Sequence, residues 1–115
     1  MKIRFDLGNY PAAQDMIVII MQEKNVSADE AVALALNDEN YLAIVSVEWV
    51  KVALSLWGHE DWERKWNKLN EVLEIEIDDH KEHLLKDIME REEVSIEDAI
   101  CYFLIFMMDS LGYHI

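Results

Sequence analysis

The sequence predicts a mainly α fold, in which one domain over residues 1–115 places about six helices around a buried central helix. Three observations support this prediction. Residues 41–57 are apolar at thirteen of seventeen positions, which is typical of a helix surrounded by protein on all sides. The chain has only three Gly and one Pro, which argues against a turn-rich all-β fold. Helix-start signals also recur along the chain.

The chain begins with a strand pattern. Apolar and polar residues alternate over residues 2–7, as expected of a half-buried strand. Gly8 and Asn9 interrupt the pattern, and Pro11 suits the first turn of a helix, where its missing N–H is not needed. The apolar run 16–21 predicts that this helix is buried. Ser27 with Glu30 forms a capping box that starts a second helix.

Residues 73–77 admit two interpretations. A helix after Gly58 would place Trp62, Trp66 and Leu69 on one face, and Leu73 and Ile77 continue that face. From Leu73, however, apolar residues alternate with Glu, which indicates a strand. We favour the strand, so that residues 2–7 and 73–77 form a small two-stranded sheet. The helical continuation is the alternative.

Two further helices complete the chain. Asp79 with Glu82 is an N-terminal cap signal for the first, and Ser95 with Asp98 is one for the second. The last helix contains ten successive apolar residues at 99–108. This run predicts a buried helix that ends before Gly112.

An internal repeat relates the two ends of the chain. Ile20-Met21, Val26-Ser27, Ala31 and Leu36 recur 68 positions later. With a gap of two residues, the strand patterns align as well, so residues 3–37 and 73–112 are predicted to share one strand–helix–helix unit. The first strand carries Lys2 and Arg4, and the second carries Glu74 and Glu76. We therefore expect the strands to pair with their opposite charges facing each other.

The chain is strongly acidic. Its 24 carboxylates and 10 Lys or Arg give a net charge of −14, which disfavours nucleic acids and anionic membranes and favours basic partners. The same acidity would also keep an apolar-rich chain soluble. Cys101 is the single cysteine and lies among apolar residues, so we expect a reduced structural thiol. No signal peptide is recognised, and a cytoplasmic location is expected.

Signatures of chemistry are weak. Asp78, Asp79, His80, Glu82 and His83 form the best metal candidate, but a helix supplies two converging ligands where zinc needs three or four. The sequence contains no phosphate-binding loop, nucleophile elbow or paired-cysteine motif. We therefore expect a protein that is not an enzyme and that holds no metal or cofactor.

Binding residues are easier to nominate. Fifteen carboxylates and six Lys or Arg fall between residues 60 and 98, giving −9 of the net charge. Such a run is either a solvated face or a patch for a partner. The sequence has four tryptophans, Trp49, Trp57, Trp62 and Trp66. They either pack together in the core or, at Trp62 or Trp66, act as aromatic anchors at an interface. The candidate partner-binding residues are Glu71, Glu74, Asp78, Asp79, Glu90, Glu92, Glu93, Glu97, Asp98, Trp62 and Trp66.

In size, acidity, cytoplasmic type and lack of catalytic motifs, the chain resembles the small acidic immunity proteins of bacterial toxin systems, particularly those of contact-dependent growth inhibition. The resemblance implies a basic cognate toxin, a DNase or tRNase domain, bound one-to-one in the cytoplasm. The resemblance assigns no role to any individual residue, because this family has no shared sequence motif. The alternatives are an antitoxin-type transcriptional regulator that reads DNA with its N-terminal strand, and a homodimeric structural scaffold.

Overall fold

The structure is a computed structural model that describes residues 2–37, 52 and 72–112. Its elements are strand β1 (Lys2–Asp6), a 3-10 turn (Leu7–Asn9), helices α1 (Pro11–Lys24) and α2 (Ala28–Leu36), strand β2 (Val72–Glu76), and helices α3 (Asp79–Glu92) and α4 (Ile96–Ser110). The predicted class, mainly α with a small two-stranded sheet, is confirmed. The described residues contain four α-helices, which does not support the count of six. Of the predicted central helix over 41–57, only Val52 lies among the described residues; it is helical, as predicted, but its side chain is exposed.

The two strands form an antiparallel ribbon. Its register pairs Lys2 with Glu76, Ile3 with Ile75, Arg4 with Glu74, Phe5 with Leu73, and Asp6 with Val72. Phe5, Leu73 and Ile75 are buried, whereas the alternating charged residues are exposed. The strand interpretation of 73–77 is therefore confirmed against the helical one, with bounds shifted by one residue. The predicted facing of opposite charges is also present.

The first strand ends one residue earlier than predicted. Leu7 belongs to the 3-10 turn and is fully buried. The carboxylate of Asp6 accepts a hydrogen bond from the backbone N–H of Gly8 at 3.0 Å. This local bond competes with strand pairing and turns the chain towards α1.

Three helix starts follow the N-cap rule. The hydroxyls of Ser27 and Ser95 accept hydrogen bonds from the backbone N–H groups of Glu30 (3.4 Å) and Asp98 (3.2 Å). The predicted cap of α3 was wrong by one residue. Asp78 has the extended backbone of an N-cap and accepts from the N–H of Lys81 at 2.8 Å, so Asp79 is the first helical residue.

The two ends of the chain have the same order of elements. We call residues 2–37 the first unit and residues 72–112 the second unit. Both α1 and α3 have 14 residues and end at a left-handed residue, Asn25 (φ 54°) and Glu93 (φ 54°). The starts of α3 and α4 lie 68 positions after those of α1 and α2.

Helix α4 is the most buried helix of the described part. Residues 99–108 are buried on every face of the helix, because α1, α2 and α3 all pack against it. The buried run 16–21 of α1 contributes Met16, Ile17, Ile19 and Ile20 to the same core. Asp15 is also fully buried, so its carboxylate is part of the interior rather than of the acidic surface.

Candidate protein-binding surface

The negative charge is concentrated in the second unit. The first unit contains five carboxylates and three Lys or Arg, a net charge of −2. The second unit contains twelve carboxylates and three Lys or Arg, a net charge of −9. Two units with the same order of strands and helices therefore differ strongly in net charge, and long-range attraction of a basic molecule would favour the second.

Helix α3 separates the candidate carboxylates into two groups. Asp78 and Asp79 lie at its N-terminus, and Glu90 and Glu92 lie in its last turn. A helix of this length spans about 20 Å. The two acidic groups predicted from sequence are thus at opposite ends of α3 and do not form one continuous site.

The second group surrounds the turn between α3 and α4. We call Glu90, Glu92, Glu93, Glu97 and Asp98 the junction cluster. Glu90 and Glu93 are exposed, whereas Glu92, Glu97 and Asp98 are half-buried. The left-handed residue Glu93 ends α3, and Ser95 caps α4 two residues later. This short connection brings the last turn of α3 and the first turn of α4 together.

One residue of this surface was missed from sequence. Asp87 is exposed and lies one turn before Glu90 on the same face of α3. Its carboxylate contacts Arg91 at 3.3 Å, and Arg91 also contacts Glu92 at 3.6 Å. The spacing of three residues from Glu90 was the available signal. Because Arg91 engages Glu92, whose side chain is 15% exposed, Glu90 and Glu93 are the more available carboxylates.

The first group has structural contacts of its own. Glu74 points outward from β2 opposite Arg4, and the carboxylate of Asp78 caps α3. Asp79 is exposed in the first turn, where a negative charge favours the helix dipole. Glu74, Asp78 and Asp79 therefore have structural roles that do not require a binding partner. Glu71, Trp62 and Trp66 lie outside the described residues.

A neighbouring ion pair reduces the charge on the middle of α3. Lys86 donates to Glu82 at 2.7 Å, one helical turn away. This hydrogen bond lowers the pKa of Glu82, which therefore remains ionised at neutral pH. The ion pair lies on the surface and adds little to stability.

Tyr10 lies beside the junction cluster. Its phenol is hydrogen-bonded to the side chain of Ser95, and its ring stacks on Phe5 with centroids 5.3 Å apart. Partial burial raises the pKa of Tyr10 above 10, and the negative charges of Glu97 and Asp98 raise it further. The phenol therefore stays protonated, which anchors the start of α1 to the start of α4.

The described residues offer little for catalysis or metal binding. Cys101 is buried, as its apolar neighbours predicted, and burial raises its pKa to about 12. Its thiol is therefore protonated and unreactive at neutral pH. In residues 2–37, 52 and 72–112, no three His, Cys, Asp or Glu side chains converge to hold a metal ion, including those from Asp78 to His83.

Within the same residues, every helix is too short or too polar to cross a membrane. Comparison of the chain with protein-family models, with curated proteins and with solved structures finds no match.

Proposed function

We propose that this protein is an immunity-type inhibitor that binds and neutralises a basic toxin domain in the cytoplasm. The observation that carries the proposal is the concentration of charge in the second unit, which bears −9 against −2 in the first. In the junction cluster, Glu90 and Glu93 present part of this charge as exposed carboxylates at the end of α3.

A nuclease is the partner class whose chemistry fits best. A nuclease groove must be positive to hold phosphates, so an acidic surface can occupy it in place of the substrate. Long-range attraction would speed the encounter, and a few desolvated side chains would supply most of the affinity. Trp62 and Trp66 remain the proposed aromatic anchors, and Glu71 remains a proposed contact.

The decisive experiment is co-expression of the tagged protein with the product of the adjacent upstream reading frame. Co-purification that weakens with salt, together with relief of toxicity, would support immunity. A protein that purifies alone as a stable dimer would contradict the proposal and favour the homodimeric scaffold.

Charge-reversal variants test whether the junction cluster is the surface that binds the toxin. Glu90→Lys with Glu93→Lys should slow association with the toxin about tenfold and reduce its dependence on salt, because both carboxylates are exposed and steer the encounter. Stopped-flow fluorescence at several salt concentrations measures both effects.

The matched control is Glu23→Lys with Asp29→Lys, which makes the same charge change on exposed residues of the first unit. A smaller effect is expected there. Equal slowing by both pairs would mean that total charge, and not the junction cluster, drives association.

One structural observation favours the alternative of an antitoxin-type transcriptional regulator. The two-stranded ribbon that it requires is present, and it forms within one chain, so a monomer would suffice. Such a ribbon has the size that the major groove of DNA admits. Its exposed Lys2 and Arg4, however, face Glu74 and Glu76. Salt-resistant binding of duplex DNA by the purified protein would favour the regulator over the inhibitor.

A further inference from the structure

The solvent-facing side of α2 is partly apolar. The core face of this helix consists of five buried residues, Ala28, Ala31, Val32, Ala35 and Leu36. On the other side, Ala33 and Leu34 are exposed, and Leu34 is among the few large apolar side chains that the described residues expose, at 38%. Residues on the solvent side of an amphipathic helix are usually polar. These two side chains therefore leave apolar surface in water.

Ala33 and Leu34 form part of a groove of about 220 Å³, which we call the α2 groove. Its lining residues are Val26, Glu30, Ala33, Leu34 and Asn37. The last four are spaced by one helical turn or two, so they share one face of the helix. The volume is below that of pockets for drug-sized ligands, roughly 300–1,000 Å³, and suits a single side chain.

The α2 groove has a polar group at each end. Glu30 lies in the first turn of α2, and Asn37 is its C-cap, so the two are about 10 Å apart along the helix axis. Within the part of the chain that the structure describes, the Glu30 carboxylate and the Asn37 side-chain amide have no hydrogen-bond or ion-pair partner. Both groups are therefore available to a ligand that covers the apolar surface between them.

A ligand that satisfies this lining needs an apolar stem and a cationic end. The stem would cover Ala33 and Leu34, and the cation would face Glu30. Lys and Arg side chains have this combination. Arg fits better, because its planar guanidinium can pair with a carboxylate through two hydrogen bonds and is more weakly hydrated than an ammonium group.

We propose that the α2 groove binds an arginine side chain of a protein partner. The guanidinium pairs with Glu30, the methylenes lie on Leu34 and Ala33, and the Asn37 amide bonds the partner's main chain beside that arginine. The inference rests on the proposed function for the identity of the partner, a basic toxin domain. Arginine is enriched among the residues that contribute most to binding at protein interfaces. The α2 groove belongs to the first unit and is separate from the junction cluster.

The test needs only the purified full-length protein. N-acetyl-arginine methylamide, which presents the side chain on a neutral main chain, is titrated into ¹⁵N-labelled protein. We expect saturable amide shifts centred on residues 26–37. General attraction of a cation would instead favour the second unit, whose net charge is −9 against −2. Shifts centred on the second unit would therefore overturn the proposal.

Two related probes test the choice of arginine. N-acetyl-norleucine methylamide keeps an apolar stem without a charge, and N-acetyl-lysine methylamide places the charge on an ammonium group. Both should bind the α2 groove more weakly than the arginine probe does. Equal or tighter binding of either probe would contradict an arginine site.

Glu30→Gln removes the charge and keeps the shape of the side chain, so it should weaken binding of the arginine probe about fivefold. Asp29→Asn is the matched control, because Asp29 is exposed beside Glu30 but does not line the groove. A smaller effect is expected there. Leu34→Ser should also weaken binding, since the stem loses apolar contact. Equal weakening by Glu30→Gln and Asp29→Asn would mean that general attraction, and not the groove, holds the probe.

These measurements do not involve the toxin, so the arginine site and the proposed function can fail separately. Absence of binding by the arginine probe would overturn the site and leave the co-expression result unaffected. Arginine binding at residues 26–37, together with a protein that finds no toxin on co-expression, would support the site and contradict the immunity function.

Discussion

Glu93 is in a backbone conformation that a residue with a Cβ rarely adopts. Its φ of 54° ends α3, where glycine is the usual residue because the left-handed region costs other residues about 1–2 kcal/mol. Asn25 holds the equivalent position after α1 and tolerates this conformation better. Glu adopts the left-handed conformation less readily than Asn or Gly, so its presence at position 93 is consistent with a binding role for this side chain.

Glu93→Gly should therefore stabilise the protein by about 1 kcal/mol. Urea unfolding should show a higher midpoint with an unchanged slope. Glu90→Gln controls for the loss of one carboxylate from the same turn and should give a smaller effect. An unchanged midpoint for Glu93→Gly would show that the turn is not strained.

Cys101 makes stability dependent on pH in the alkaline range. Its pKa rises from 9.0 to about 12 in the folded protein because the thiol is buried. The unfolded chain therefore loses this proton first. The contribution of Cys101 is fully present below pH 9 and is lost as pH rises towards 12.

Between pH 9 and pH 12, the free energy of unfolding measured with urea should fall more steeply with pH for the unchanged protein than for Cys101→Ala. Parallel profiles would contradict the raised pKa. Slow alkylation of the native thiol, accelerated by urea, provides an independent check.

At the scale of elements, opposite charges help to select the pairing of β1 with β2. Arg4 faces Glu74, and Lys2 faces Glu76. Pairing of two β1 strands in this register would oppose Arg4 to Arg4, and pairing of two β2 strands would oppose Glu74 to Glu74. The charges therefore favour a ribbon made from two different strands.

A double-mutant cycle measures this selection. Arg4→Glu and Glu74→Arg should each destabilise the protein by about 1 kcal/mol, because each places like charges opposite one another. The double variant should recover most of the loss, since it restores opposite charges. Additive losses in urea unfolding would show that the two side chains do not interact.

At the scale of the molecule, the negative charge is distributed unevenly between the two units. The second unit has a net charge of −9 and the first a net charge of −2. An inhibitor could use the acidic unit for fast encounter with a basic partner. The two charge-reversal pairs, Glu90 with Glu93 and Glu23 with Asp29, test whether the position of the charge matters.

The correspondence between the units also bears on the domain prediction. A single domain over residues 1–115 with a repeat between 3–37 and 73–112 remains a prediction. The matching helix starts and the matching left-handed residues agree with the repeat. The packing is not symmetric, however, because α1 packs against α4 and α2 against β2, whereas α2 with α3 and β1 with α4 make few or no contacts.

Local sequence was sufficient for most of the described fold. Alternation fixed the strands, and short polar side chains marked the helix starts, because both depend on neighbours along the chain. The cap of α3 was misassigned since Asp78 and Asp79 are chemically equivalent and only the backbone conformation distinguishes them. Leu7 was misassigned because the Asp6 carboxylate forms a local turn in place of another strand pair.

Composition and spacing along the chain were sufficient to predict the mainly helical class, the strand pairing and the acidity of the second unit. The packing of the helices was needed to show which acidic residues lie together, and that Asp87 lies on the same face of α3 as Glu90. Exposure and proximity between distant segments depend on how helices pack, which periodicity along the chain does not encode.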